Sequence, residues 1–161
     1  MGELVKKKDV RLPLSEDLQQ ELEEKFVKVI RGIGDTLNTL VERGELSIYE
    51  LQKILADLEP SFQLISGKWV LEILYSLLFK GPMGFNRLRE LTGASSRSLS
   101  TKLKILAQLG YIEREVDKGP PLRTTYKLTE KGRIAALLSL PLLYFIAKNS
   151  TERSLRSSFH H

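Results

Sequence analysis

The chain has 161 residues, 42% of them hydrophobic, with a net charge of +5, a size and composition that suit one compact domain with an extension. It contains no cysteine, which excludes disulfides, thiolate metal sites and cysteine nucleophiles. Its start, MGELVKKKDVRLP, has no apolar run behind the charges, so it does not read as a signal peptide and the expected location is cytoplasmic.

The charge is segregated. Residues 1–60 carry 9 Lys/Arg and 13 Asp/Glu, a net of −4, whereas residues 61–133 carry 13 and 6, a net of +7. Residues 134–161 add +2. A basic segment beside an acidic neighbour points to an anionic polymer as the partner of the central part.

Residues 1–14 read as a flexible basic arm. Ser15 is the expected N-cap of a first helix, with Glu16 and Asp17 complementing the dipole. Leu18, Leu22, Phe26, Val29, Ile33, Leu37 and Leu40 recur at spacings of three and four, an amphipathic pattern that runs to about Arg43 and ends at Gly44. Ser47-Ile-Tyr-Glu50 is a capping box for a second helix, expected to stop near Leu58 ahead of Pro60. A third helical region covers Phe62 to Phe79, with a break near Ser66-Gly67. After the turn Lys80–Gly84, Phe85, Leu88 and Leu91 mark a short helix, and Thr92-Gly-Ala94 is the next turn.

The following stretch, SSRSLSTKLKIL at 95–106, predicts a helix to Leu109 with no acid in its first turn, where the dipole would favour one. With Leu99, Leu103 and Leu106 toward the core, the opposite face is Arg97, Thr101, Lys104 and Gln108, flanked by Ser98, Lys102 and Ile105. Hydroxyls, an amide and cations are the groups that bind phosphates and base edges. The pattern then turns to strands over Tyr111–Asp117 and Leu122–Leu128, a hairpin closed by Lys118-Gly-Pro-Pro121. Thr129-Glu-Lys-Gly132 caps a last helix reaching at least Lys148 and bent near Pro141. Its apolar run, Ile134 to Ala147, is 14 residues long, short of the roughly 20 that a membrane span needs. No membrane partner is expected.

Short helix, turn, basic helix and hairpin form a winged helix-turn-helix, so the expected class is α+β and mostly helical, with additional N-terminal helices and a long C-terminal helix. LISGKW at 64–69, GPMGFNRLREL at 81–91, ASSRSLSTKLKILAQLGYIEREV at 94–116 and PPLRTTYKLTEKG at 120–132 resemble, in this order, the HxlR family of prokaryotic winged-helix regulators. The resemblance covers about half the chain. It implies a cytoplasmic homodimer that binds double-stranded DNA near promoters, with 96–109 as recognition helix, 111–128 as wing and the terminal helices as dimer interface. Many members carry a cysteine before the motif that matches LISGKW; this chain has none, and residues 1–60 are largely additional to the family.

The resulting division is an arm at 1–14, a helical extension at 15–60 for dimerisation or partner binding, a DNA-binding domain at 61–133, a dimerisation helix at 134–150 and a tail at 151–161. The expected DNA-binding residues are Ser96, Arg97, Ser98, Thr101, Lys102, Lys104 and Gln108 on the recognition helix and Lys118 and Arg123 on the wing. Arg114 shares a strand face with Ile112 and Val116, which leaves a partly buried structural role open. Lys68 is open between a phosphate contact and a cap, and Trp69 is expected in the core. The only histidines, His160 and His161, follow Ser157-Ser-Phe159 and read as a tag remnant. With no catalytic constellation, metal-ligand spacing or cofactor motif, an enzyme is not expected. The sequence does not name a small-molecule effector. Two other functions fit the same elements: a winged-helix module for protein–protein assembly, and a nonspecific architectural DNA binder.

Overall fold

The structure, a computed structural model, describes residues 13–158, with the backbone alone beyond Lys148. Most of the expected arm and the residues His160 and His161 lie outside the described residues. Six helices and one hairpin follow in the order α1 (Glu16–Glu42), α2 (Ile48–Ile65), α3 (Val70–Lys80), α4 (Phe85–Thr92), α5 (Ser96–Gln108), β1 (Ile112–Asp117), β2 (Arg123–Leu128) and α6 (Glu130–Ser158). The fold is α+β and mostly helical, as the periodicities predict. It divides into two compact units: the chain up to Lys53 together with the chain from Leu140 onward, and Ile54–Ser139. No single helix among the described residues is long and apolar enough to cross a membrane.

In the first unit, Ser15 caps α1 by accepting from the Leu18 amide at 3.4 Å. The start of α1 packs on the later part of α6. Phe26 meets Tyr144 edge-on at 5.4 Å between ring centroids, and the Tyr144 hydroxyl donates to the Gln19 carbonyl at 3.3 Å. Lys148 pairs with Glu23 at 2.6 Å. Further along α1, Val29, Ile30, Leu37 and Val41 are exposed, as is Ile33 at 60%.

The capping box forms as expected: the Ser47 amide donates to Glu50 Oε2 at 2.9 Å and the Glu50 amide donates to Ser47 Oγ at 3.3 Å. The Ser47 hydroxyl, which donates to Glu50 Oε2 at 2.7 Å, and then the Ser47 amide hold the Glu50 carboxyl below the usual carboxylate range. α2 does not stop near Leu58. It continues through Pro60 to Ile65, because the lost bond frees only the carbonyl of the exposed Ala56, which water can satisfy. The expected break falls at Ser66–Trp69. There Trp69 takes a φ of 74°, a left-handed conformation that costs a non-glycine residue about 1–2 kcal/mol. Its half-buried ring packs against the core, and the Lys68 ammonium stands 4.4 Å from the ring centroid. α6 runs past the expected end at 150 to Ser158, with neither glycine nor proline in between to stop it.

The core of the second unit joins Val70, Ile73, Leu74 and Leu77 of α3, Leu88 of α4, Leu99, Leu103 and Leu106 of α5, Ile112 of β1 and Ala136 of α6. The strands pair antiparallel from Ile112↔Leu128 to Asp117↔Arg123. Met83 adds a bridge that periodicity did not show: it exchanges backbone bonds with Tyr126 at 3.0 and 2.9 Å and ties the hairpin to the turn before α4.

Three contacts fix the hairpin's base to α5 and α6. The Thr129 hydroxyl donates to the Gly110 carbonyl at 2.6 Å and accepts from the Gly132 amide at 3.1 Å. Lys131 Nζ donates to the Leu109 carbonyl at 2.8 Å. The approach is closest at Gly132, where a Cβ would lie 2.0 Å from the Tyr111 carbonyl oxygen. In an open helix, Gly→Ala gains about 1 kcal/mol; here the sign inverts. We expect Gly132→Ala to destabilise the domain by about 1–3 kcal/mol or more, measured as a lower urea midpoint at unchanged m value.

Candidate nucleic-acid interface

α5 is built from its N-cap outward. Gly93 takes a left-handed φ of 68°, which turns the chain out of α4. The Thr92 hydroxyl donates to the Leu88 carbonyl at 2.8 Å and accepts from the Ala94 amide at 3.3 Å, closing the turn. Ser95 Oγ then accepts from the Ser98 amide at 3.1 Å. Leu99, Leu103 and Leu106 are at most 1% exposed, so the helix has no rotational choice.

The expected outward face is outward. Ser96, Arg97, Thr101, Lys104 and Gln108 are all exposed, while Ser98 and Lys102 are half-buried at its edge. The Thr101 hydroxyl donates to the Arg97 carbonyl at 3.0 Å. Ser98 is drawn into the cap, its Oγ 2.9 Å from Ser95 Oγ. Lys102 leans toward the break before α3: a Cβ on Gly67 would be 3.6 Å from its Nζ. Among the described residues none of Arg97, Lys102 and Lys104 pairs with a carboxylate. α5 contains no acid at all.

The wing carries two unlike faces. Directly opposed residues share a face, so the pairs Glu113↔Lys127, Glu115↔Thr125 and Asp117↔Arg123 line one side, and Ile112↔Leu128, Arg114↔Tyr126 and Val116↔Thr124 the other. Lys127 bridges Glu115 and Glu113, the latter at 3.2 Å. The hydrogen bonds to Glu115 and then Glu113 hold its ammonium above the usual lysine range. Lys118 and Arg123 are both exposed, Lys118 in the turn and Arg123 at the start of β2.

Arg114 is not a partly buried structural residue. Only Ile112 of β1 is buried, because the strand leaves the core at once, and Arg114 is exposed with Nη2 3.5 Å from Thr124 Oγ1. Arg89 is not among the residues that the sequence pattern singles out. It lies in the last turn of α4, and its Nη1 donates to Ser96 Oγ at 3.0 Å, across the turn of the helix pair. Its contact spans seven positions and a turn, so helical periodicity carries no signal for it.

Residues 64–152, more than half of the chain, match the HxlR-like helix-turn-helix family. The chain is 36% identical over 95 residues to YvaP of Bacillus subtilis, an uncharacterised HTH-type transcriptional regulator, spanning 58% of this chain and 83% of that one. It is 34% identical over 76 residues to YodB, an HTH-type transcriptional regulator of the same organism, spanning 47% of this chain and 67% of that one. Among solved structures, a regulator of the MarR family from Enterococcus faecalis superposes with a TM-score of 0.52 at 25% identity, covering 63% of this chain and 91% of that one. The redox regulator HypR in its reduced form superposes at 0.50 with 29% identity, covering 63% and 98%.

The cap generates a test that needs no ligand. Ser95→Ala should cost about 0.5–2 kcal/mol by removing the acceptor of the Ser98 amide. Ser100→Ala, exposed in the middle of α5, should be neutral or slightly stabilising. Urea unfolding of the two variants checks the contrast.

Proposed function

The chain belongs to the HxlR-like helix-turn-helix family of transcriptional regulators, and from that premise we propose that it is a homodimeric, sequence-specific regulator acting in the cytoplasm. The observation that carries the reading is α5 itself: a helix pinned by three buried leucines whose other face is cationic, hydroxylated and free of acids. Such a helix fits the major groove, and the hairpin reaches the flanking backbone. The family and its relatives are regulators, not enzymes.

Arg97 is in the first turn of α5, where side chains reach base edges and arginine pairs bidentately with guanine. Thr101, one turn later, offers its methyl to thymine. Ser96, Lys104 and Gln108 extend that face, while Ser98 and Lys102 border it. Lys118 and Arg123 grip backbone from the wing. The exposed apolar residues of α1 support dimerisation through the terminal helices, as does Leu142 of α6, 53% exposed. The two-fold axis then sets the recognition helices about 34–36 Å apart on a pseudo-palindromic site.

Three measurements test this. First, the protein should be dimeric at micromolar concentration; a monomeric mass sinks the interface, and deleting residues 1–60 should weaken the dimer. Second, log affinity for DNA should fall linearly with log salt at about −0.9 per phosphate contacted. With three or four contacts per subunit, that is roughly three to five decades between about 50 and 200 mM salt. A flat response would instead favour protein–protein assembly, and equal affinity for a selected and a random duplex would favour an architectural binder. Third, Arg97→Ala should cost about 1–3 kcal/mol on a selected site and relax one base position per half-site. Arg123→Ala should weaken selected and scrambled DNA alike. Fluorescence anisotropy at several salt concentrations gives the last two.

A further inference from the structure

We propose that Arg89 and Arg114 are dedicated phosphate grips on either side of the recognition helix, preset by the hydroxyls of Ser96 and Thr124. The inference rests on the DNA-binding reading and deepens it by naming two contact residues outside the face of α5.

The arginines from α4 to the start of α6 fall into three kinds. Arg87 and Arg133 are neutralised, by Glu90 and by Glu130, each at 2.9 Å. Arg97 and Arg123 have no hydrogen-bond partner among the described side chains. Arg89 and Arg114 are held, but by neutral oxygens: Ser96 Oγ at 3.0 Å and Thr124 Oγ1 at 3.5 Å. The difference matters for an incoming phosphate. A guanidinium bound to a carboxylate must first give up that partner, and an unheld one must lose rotamer freedom as it binds. A hydroxyl-held guanidinium keeps its full charge, is already oriented, and spends one of five N–H donors. The rest of the planar fork remains for bidentate contact with a phosphate.

Position and charge agree with that role. Arg89 projects from the end of α4 to the first turn of α5, so it stands beside the helix that enters the groove, on the element that crosses the backbone in such folds. Arg114 is on the wing face that carries no acid. Arg123, on the other face, stands opposite Asp117 and shares that face with Glu113 and Glu115, which Lys127 bridges, so three acids there meet two cations. A polyanion approaching the hairpin is therefore drawn more strongly to the Arg114 side.

The experiment uses the full chain and a fluorescein-labelled duplex of scrambled sequence, which isolates backbone gripping from base reading. Arg89→Gln and Arg114→Gln should each flatten the salt slope by about one per subunit. Arg87→Gln, already neutralised, should leave the slope close to that of the wild type. Thr124→Val keeps the charge but frees Arg114, so the slope should persist while affinity drops several-fold. All four residues sit outside the core, and unchanged thermal melting will verify folding. Wild-type slope and affinity in either Arg89→Gln or Arg114→Gln overturns the inference, as does equal flattening by Arg87→Gln. Wild-type affinity in Thr124→Val overturns the presetting. A flat slope in the wild-type protein would instead remove the DNA reading itself, and a normal wild-type slope with unchanged Arg89 and Arg114 variants leaves that reading standing.

Discussion

The burial of Leu99, Leu103 and Leu106 against α3, α4 and Ile112 constrains everything that α5 presents to solvent. Each such side chain contributes about 1.5–3 kcal/mol by leaving water. Rotating the helix by one residue would expose part of the stripe and drive Lys102 or Lys104 inward, where an unpaired charge is far more costly. The cationic face is thus not an independent choice. Once the leucines are buried, Arg97, Thr101, Lys104 and Gln108 have nowhere to point but out. The contact at Gly132 extends the same rigidity to the wing, because the start of α6 can lie on the Tyr111 carbonyl only without a side chain. α5 and the hairpin base are therefore set relative to one another by packing, within one unit.

Electrostatics acts on that frame rather than making it. The cations of the domain are sorted by their partners: Lys127, Arg87 and Arg133 are tied to glutamates, whereas those of α5 are not. Exposed ion pairs contribute little to stability, typically under about 1 kcal/mol. Their larger effect here is on the surface potential, since they cancel charge on one side of the wing and leave it uncancelled along α5. A chain net charge of +5 would by itself say nothing of this. Arrangement, not total, is what a phosphate backbone meets.

Sequence pattern made legible what depends on local periodicity and capping. The ends of α1, the box at Ser47 and Glu50, the leucine stripe and the alternating faces of the hairpin all follow from neighbours within a few residues. It failed where a local rule met a tertiary or solvent context. Pro60 is a helix breaker in isolation, yet α2 passes through it because the orphaned carbonyl is wet. Arg114 shares a strand face with a buried isoleucine, but alternation cannot say how far along the strand the core extends. The Met83–Tyr126 bridge and the Arg89–Ser96 bond join segments 43 and 7 positions apart. Neither leaves a trace in periodicity, because each depends on where two elements meet. The candidate face was therefore readable as one side of a helix, and the contacts that flank it were not.

α1 poses the complementary physical problem. A helix of 27 residues gains little from propensity alone and takes its stability chiefly from packing an apolar face. Within its own unit that face is satisfied at the start, by Tyr144 and the Glu23–Lys148 pair. Beyond Phe26, Val29, Ile33, Leu37 and Val41 continue the stripe into solvent, and Gly32 and Gly34 lie in its midst with no neighbour within 4 Å of where a Cβ would be. Two glycines in a helix interior each cost about 1 kcal/mol relative to alanine, a penalty that falls on the half of α1 whose apolar residues stay exposed. A second copy of the chain supplies the missing surface under the homodimer proposed here, and open glycines allow a partner backbone to approach. Covering the stripe and pairing two recognition helices on a symmetric DNA site are then a single association step. On that account, the acidic extension absent from the family pattern acts on DNA binding only through the assembly it stabilises.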